Sequence, residues 1–232
     1  MLGIIGAMEE EVSRLTSAME EVHIVRRASM EFYQGKLSGR DAVVVRSGIG
    51  KVNAGICAQI LADLFQIDRI INTGIAGSLD SAIDIGDIVL STDALQHDVD
   101  AGTFGYAPGV IPRMETSVFQ ADPLMLKLAE CACRKVNPEI HVFTGRVVSG
   151  DQFIADSSKK DFLINQFAPL CTEMEGAAIA QTAYLNGIPF LIIRAISDKA
   201  DNSAQVDYPV FEAAAIEHSV RLVTELAAAF ED

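Results

Sequence analysis

Residues 41–74, DAVVVRSGIGKVNAGICAQILADLFQIDRIINTG, decide the fold class. Asp41 to Arg46 is a β-rich run, and Lys51 to Phe65 carries apolar residues at Val52, Ile56, Ile60, Leu61 and Leu64, the stripe of a helix. Arg69 to Thr73 then reads as a second strand that stops at Gly74. Strand, helix and strand in such close succession imply an α/β layer structure. The alternation extends both ways. Before it lie a strand at Leu2 to Ile5, a helix at Glu9 to Met19 and a strand at Met30 to Leu37. After it, the Gly86-Asp87 turn opens a strand at Ile88 to Ser91. The order continues as helix Pro123 to Lys135, strand Val142 to Ser149, helix Ser157 to Phe167 and strand Leu170 to Glu173. Helix Gly176 to Asn186, strand Phe190 to Ile196 and helix Val210 to Phe230 complete it.

His97 to Thr116 carries glycines and prolines without periodicity, so it reads as a long loop beside a site or an interface. No linker or repeat interrupts the chain, and its 232 residues, half of them hydrophobic, fit one domain over 1–232 with a well-filled core. The net charge of −14 disfavours nucleic acid and anionic membranes as partners and suits a soluble cytoplasmic protein. The opening Met1 to Ile5 has no basic segment ahead of it and meets three glutamates almost at once, unlike a secretory signal. No apolar run is long enough for a bilayer. Cys57, Cys131, Cys133 and Cys171 have no C-x-x-C spacing and read as small buried hydrophobes.

Several chemistries fail on their motifs. Around Ser47-Gly48-Ile49-Gly50-Lys51-Val52, Val45 takes the first glycine's place in a phosphate loop, and Val52 takes that of the magnesium-binding hydroxyl. The same segment lacks the third glycine of a dinucleotide fingerprint, since Asn53 stands there. His23, His97, His141 and His218 lack ligand spacing, so no metal is expected. There is no Gly-x-Ser-x-Gly elbow for acyl transfer. What remains is carboxylate chemistry. Glu9-Glu10-Glu11 follows the first strand, Glu173-Met174-Glu175 follows a short strand, and Asp198 ends an apolar one. In α/β folds such strand ends face the ligand crevice, so the three clusters imply one shared pocket.

Six blocks in order carry a resemblance. Gly6 to Val12, Ser47 to Val52, Asn72-Thr73-Gly74, Val148 to Asp151, Glu173-Met174-Glu175 and Arg194 to Asp198 together resemble the 5′-methylthioadenosine/S-adenosylhomocysteine nucleosidases over nearly the full length. The resemblance implies a mixed twisted sheet flanked by helices, as in nucleoside phosphorylases and hydrolases, and a homodimer in which Phe104 reaches the partner's site. It implies hydrolysis of the bond between adenine and thioribose without a cofactor, on adenosyl thioether nucleosides, in methionine salvage and methyl-cycle recycling. Asp198 is then the acid to the adenine ring, Glu11 positions and activates water, and Glu175 binds ribose hydroxyls, with Glu173 beside it. Met8, Ile49, Met174, Phe153 and Tyr208 line the alkylthio pocket and stack on adenine. Ile154 offers its backbone amide to the purine, and Ser197 hydrogen-bonds Asp198. Ile75 replaces a frequent serine, which leaves Ala76 and Gly77 to contact the ligand, and Tyr208 stands where phenylalanine is frequent.

The chemistry requires such groups. Cleaving a glycosidic bond develops an oxocarbenium-like sugar and a negative purine, so it needs an acid at the base and a water-activating carboxylate at the sugar. Asp198 must hold a proton near neutral pH, against an ordinary aspartate pKa of about 3.9, so its surroundings must disfavour the charge. Plainer readings compete. An aspartate after Ser197 also caps a loop, and Glu9, Glu10 and Glu175 suit helix starts on electrostatic grounds alone. Two alternative functions stand beside hydrolysis. A phosphorylase of the same fold needs arginines for its dianion, and none occupies the Gly6 to Glu9 or Thr73 to Ala76 turns. A noncatalytic nucleoside sensor would keep the pocket without turnover. Aminodeoxyfutalosine is a further candidate substrate that pocket size decides.

Overall fold

The computed structural model describes residues 1–201 and 204–230, without the side chains of 205–209. Among the described residues, ten strands form one mixed sheet. β1 (Leu2–Gly6) is buried throughout and lies between β4 (Arg40–Arg46) and β5 (Arg69–Ser78), parallel to both. Burial on both faces explains the unbroken apolar runs of these strands. β3 (Met30–Leu37) and β2 (Glu20–Arg27) extend the sheet antiparallel beyond β4. On the other side of β5, β10 (Phe190–Asp198) runs parallel to it from Phe190 opposite Ile70 to Asp198 opposite Gly77.

β5 is long enough to divide one edge between two partners. Leu2 to Ile5 of β1 cover Arg69 to Asn72, while β9 (Cys171–Glu173) pairs farther along with Gly77 and Ser78. β9 continues to β8 (Val142–Ser149), β8 to β6 (Ile88–Gln96), and β6 back to β10. β5, β9, β8, β6 and β10 therefore close on themselves, which leaves this half of the sheet without an open edge. Short β7 (Phe119–Gln120) pairs with β6.

Helices α2 (Lys51–Phe65) and α5 (Gly176–Asn186) pack together on one face. α1 (Glu9–Ser17), α3 (Pro123–Val136) and α6 (Ala204–Ala229) cover the other. α4 (Ser157–Phe167) closes a smaller cluster with Leu163, Phe167, Ile154 and Ala200. Among the described residues no helix is long and apolar enough to cross a membrane.

The structure departs from the sequence reading at identifiable points. β2 was not expected: its residues are mostly exposed and half of them charged, which suits a strand at the sheet's margin, joined to β3 by backbone pairing and the Arg26–Glu31 ion pair. β5 does not stop at Gly74 but runs to Ser78, because β10 pairs with it as far as Gly77 and β9 pairs with Gly77 and Ser78. β6 extends to Gln96, and β10 to Asp198. α6 begins at Ala204 rather than Val210. Cys131 is exposed rather than buried.

Candidate active site

The ends of β1, β4, β5, β9 and β10 converge on a cavity of about 270 Å³. Four carboxylates line it, Glu11, Glu173, Glu175 and Asp198, and among the described residues no lysine, arginine or histidine does. Its apolar lining comes from Met8, Ile49, Ile75, Phe153 and Met174, with Ala7, Ala76 and Gly77.

Only one of the three adjacent glutamates enters it. Glu9 and Glu10 are exposed, whereas Glu11, in the first turn of α1, turns inward. Its Oε2 accepts from Ala7 N–H (2.6 Å) and Met8 N–H (3.1 Å), and its Oε1 from Ile75 N–H (3.2 Å). Burial raises its pKa above the ordinary value, and nearby Arg194 with these three amides opposes the rise. Gly74 makes the arrangement sterically possible: a Cβ there would lie 2.4 Å from Glu11 Oε1 and 2.6 Å from Arg194 Nη1.

Arg194, on β10 and 2% exposed, sits behind these carboxylates. Its Nη2 donates to Asn72 Oδ1 (2.5 Å) and to Glu173 Oε2. Burial works against the guanidinium charge, but Glu173, Glu175 and Glu11 together hold its pKa above the usual arginine value. Glu173 also accepts from the N–H groups of Glu175 (3.0 Å) and Gly176 (2.7 Å) at the start of α5, and from Ser149 Oγ. Although Glu173 lines the cavity, its oxygens are engaged by protein. Glu175 precedes α5, and its Oε1 accepts from Gly50 N–H (2.8 Å). Burial first, and then the Glu173 charge, push its pKa up to about 7.

Asp198 ends β10, where the register against β5 shifts between Ile196 and Asp198. This bulge re-aims the last side chain of the strand. Asp198 Oδ2 accepts from Ser197 Oγ (2.9 Å), and Oδ1 from Ala200 N–H (2.8 Å). Both bonds donate to the carboxylate, so in this arrangement Ser197 supports the charge rather than disfavouring it. Ser197 Oγ is also 3.4 Å from Ala76 O, a second acceptor for its single proton. Gly77 is required beside it, since a Cβ there would lie 2.8 Å from Asp198 Oδ1.

The other expected residues separate. Met8, Ile49, Phe153, Met174, Ala76, Gly77 and Ser197 line the cavity with the carboxylates. Ile154 is buried in the cluster under α4, and it borders a small adjoining cavity with Asp198 and Phe153. Phe104, 82% exposed on a one-turn 3-10 helix at Gly102–Phe104, is not in the cavity lining. The Tyr208 side chain lies outside the described residues. Four participants escaped the sequence reading. Ile75 lines the cavity and gives its amide to Glu11. Thr172 lines it with a buried Oγ1 that finds no hydrogen-bond partner among the described residues. Arg194 stood inside a quoted motif without a role, and Asn72 likewise. A buried arginine at the end of an apolar strand was the signal available, since such a cation demands carboxylates nearby.

The chain matches the phosphorylase superfamily over residues 1–229. A Geobacillus sp. (strain WCH70) protein, 5′-methylthioadenosine/S-adenosylhomocysteine nucleosidase, is 40% identical over 231 residues, covering 99% of each chain. The crystal structure of the nucleosidase of that name from Neisseria meningitidis, in complex with methylthio-immucillin-A, superposes with a TM-score of 0.93 at 38% identity, covering 99% of each chain. A futalosine hydrolase mutant of Helicobacter pylori superposes with a TM-score of 0.93 at 26% identity, again over 99% of each. Sequence and fold agree over the whole described length, and this chain belongs to the phosphorylase superfamily and, within it, to the 5′-methylthioadenosine/S-adenosylhomocysteine nucleosidase family of N-glycosyl hydrolases.

Proposed function

We propose that this enzyme hydrolyses the N-glycosidic bond of 5′-methylthioadenosine and S-adenosylhomocysteine, and of 5′-deoxyadenosine, in the cytoplasm and without a cofactor. Asp198 gives its proton to the adenine ring as the bond from the base to the sugar breaks and its electrons pass to the purine. Glu11 takes a proton from water as the water oxygen bonds to the sugar carbon, so that adenine and the free thioribose leave. Its raised pKa makes Glu11 a better proton acceptor than an exposed glutamate. Glu175 holds the ribose hydroxyls. Its Oε2 accepts no hydrogen bond among the described residues, and a carboxylate poised at a pKa of about 7 gains from hydroxyl donors. Ser197 assists by rotating: with its proton turned to Ala76 O, it leaves Asp198 Oδ2 able to carry one. Met8, Ile49, Met174 and Phe153 provide the apolar contact for the base and the 5′-thioether.

One observation carries the choice of water over phosphate. The cavity wall presents four carboxylates and, among the described residues, no cation, and the guanidinium behind it is already held by Asn72 and Glu173. A phosphate dianion would be repelled there. The test is chromatography of the products from 5′-methylthioadenosine with and without added phosphate. Adenine and methylthioribose in both are expected; a sugar phosphate formed only with phosphate would make the enzyme a phosphorylase. Intact substrate in both points to a noncatalytic sensor, and ligand-induced stabilisation would then support it. The likeness to the H. pylori futalosine hydrolase mutant supports trying aminodeoxyfutalosine in the same assay.

The assembly belongs to this reading. Val52, Ile56, Tyr184 and Leu185 expose apolar surface on α2 and α5, which pack together, and Phe104 projects from its loop. A homodimer that covers this face brings Phe104 to the partner's cavity. Phe104→Ala is expected to raise KM several-fold with kcat little changed, and unaltered kinetics in a dimer confirmed by sedimentation would remove Phe104 from the site.

A further inference from the structure

The turn that follows Asp198 is held in a conformation the chain must enforce. Ala200 has φ +50, in the left-handed region that a residue with a Cβ rarely adopts. Its methyl group is fully buried against the cluster under α4. The peptide joining Lys199 to Ala200 has work at both ends. Its N–H donates to Asp198 Oδ1 at 2.8 Å, and its C=O accepts from Lys160 Nζ at 2.5 Å. Lys160 belongs to α4, a different element, and its ammonium also stands 3.6 Å from Asp201 Oδ2.

In a trans peptide the N–H and C=O point in opposite directions within one plane, so a grip on the oxygen fixes where the hydrogen points. A charged donor on the oxygen also polarises the group and strengthens its N–H as a donor. We infer that Lys160 is a positioning residue for the general acid, acting on Asp198 through the Lys199–Ala200 peptide. The inference rests on the reading of Asp198 as the acid. Lys199 anchors the same turn from the other side, its Nζ donating to Ile83 O (2.5 Å) and Asp84 Oδ1 (3.0 Å). Without the Lys160 grip, the carbonyl loses its charged partner and the amide is held less firmly on Asp198.

The test is steady-state kinetics on 5′-methylthioadenosine for the wild type, Lys160→Met, Lys160→Arg and Asp198→Asn, below each melting temperature and per folded protein by circular dichroism. A general acid contributes about 10²–10⁴-fold, so losing its positioning is expected to lower kcat about tenfold in Lys160→Met, with KM within about twofold. Lys160→Arg, which restores a charged donor, is expected to recover kcat to within about twofold. If Lys160→Met does not fold, Lys160→Gln, a neutral donor, is expected to show the same split at about half the logarithmic loss. Wild-type kcat in Lys160→Met, or an equal fall in Lys160→Arg, overturns the inference. An active Asp198→Asn overturns instead the acid reading beneath it.

Discussion

Glu11 and Asp198 share one cavity, and the chain holds them by different means. Glu11 takes three amides from two strands, Ala7 and Met8 just after β1 and Ile75 within β5, with a buried arginine nearby. Asp198 takes a hydroxyl from its chain neighbour and an amide from its own turn. One carboxylate reaches from a helix onto amides of two strands, and the other ends a strand and is held by its own turn. A group that must pass a proton to a leaving base needs hydrogen bonds that can be exchanged, whereas a group that orients water needs a fixed place.

The sharpest way to break this contrast is to remove each charge with its shape kept. Asp198→Asn and Glu11→Gln are both expected to lower kcat by about 10²–10⁴-fold while an unreactive substrate analogue binds nearly as before. They should differ in stability. A glutamine presents only one oxygen where Glu11 receives N–H groups on both, so a buried donor is orphaned at about 1–3 kcal/mol. At Asp198 the Ser197 hydroxyl can turn and accept from the new amide. Equal melting temperatures for the two variants would dissolve the distinction. Next in size is Arg194→Met, which leaves Glu173 and its neighbours uncompensated and is expected to cost about 3–5 kcal/mol by denaturant unfolding.

A pH experiment sharpens the comparison further. Glu175 has a folded-state pKa raised to about 7 by burial and by Glu173. The folded protein binds that proton more tightly than the unfolded chain. The stability it contributes is therefore present in full below the unfolded value near 4.5 and is lost as the pH rises through about 7. The expected loss is on the order of 2–3 kcal/mol between pH 5 and pH 8, and Glu175→Gln should flatten it. The smallest effect is at Thr172. Replacing its hydroxyl, which has no partner among the described residues, with valine is expected to stabilise the free enzyme by about 1 kcal/mol and, if the ligand is the missing partner, to raise KM a few-fold. A melting temperature that falls would show the hydroxyl to be satisfied in the free enzyme.

The strands and helices that bury a continuous face were legible. The helices at Ser157–Phe167 and Gly176–Asn186 and the strand Val142–Ser149 lie where their patterns place them. The strand Glu20–Arg27 was not, since a margin strand that shows charge to water has no apolar period to read. Nor was the closure of half the sheet, which depends on Gly77 and Ser78 meeting Cys171 and Thr172 far along the chain. At the site, the carboxylates were visible because strand-end acids are conspicuous. Thr172 was invisible for the opposite reason: in a strand it looks like ordinary core, and its pairing with Gly77 of β5 sets it beside the cavity, while Ile75 was read as a replaced serine and not as a lining residue.

That shared strand also works as a ruler. Gly74 lies against Glu11 and Arg194, and Gly77 against Asp198. Three residues of extended chain measure about 10 Å, so β5 spaces the place where Glu11 lies against it from the place where Asp198 does. Under the roles proposed for Glu11 and Asp198, this one strand spaces the water side of the scissile bond from its base side.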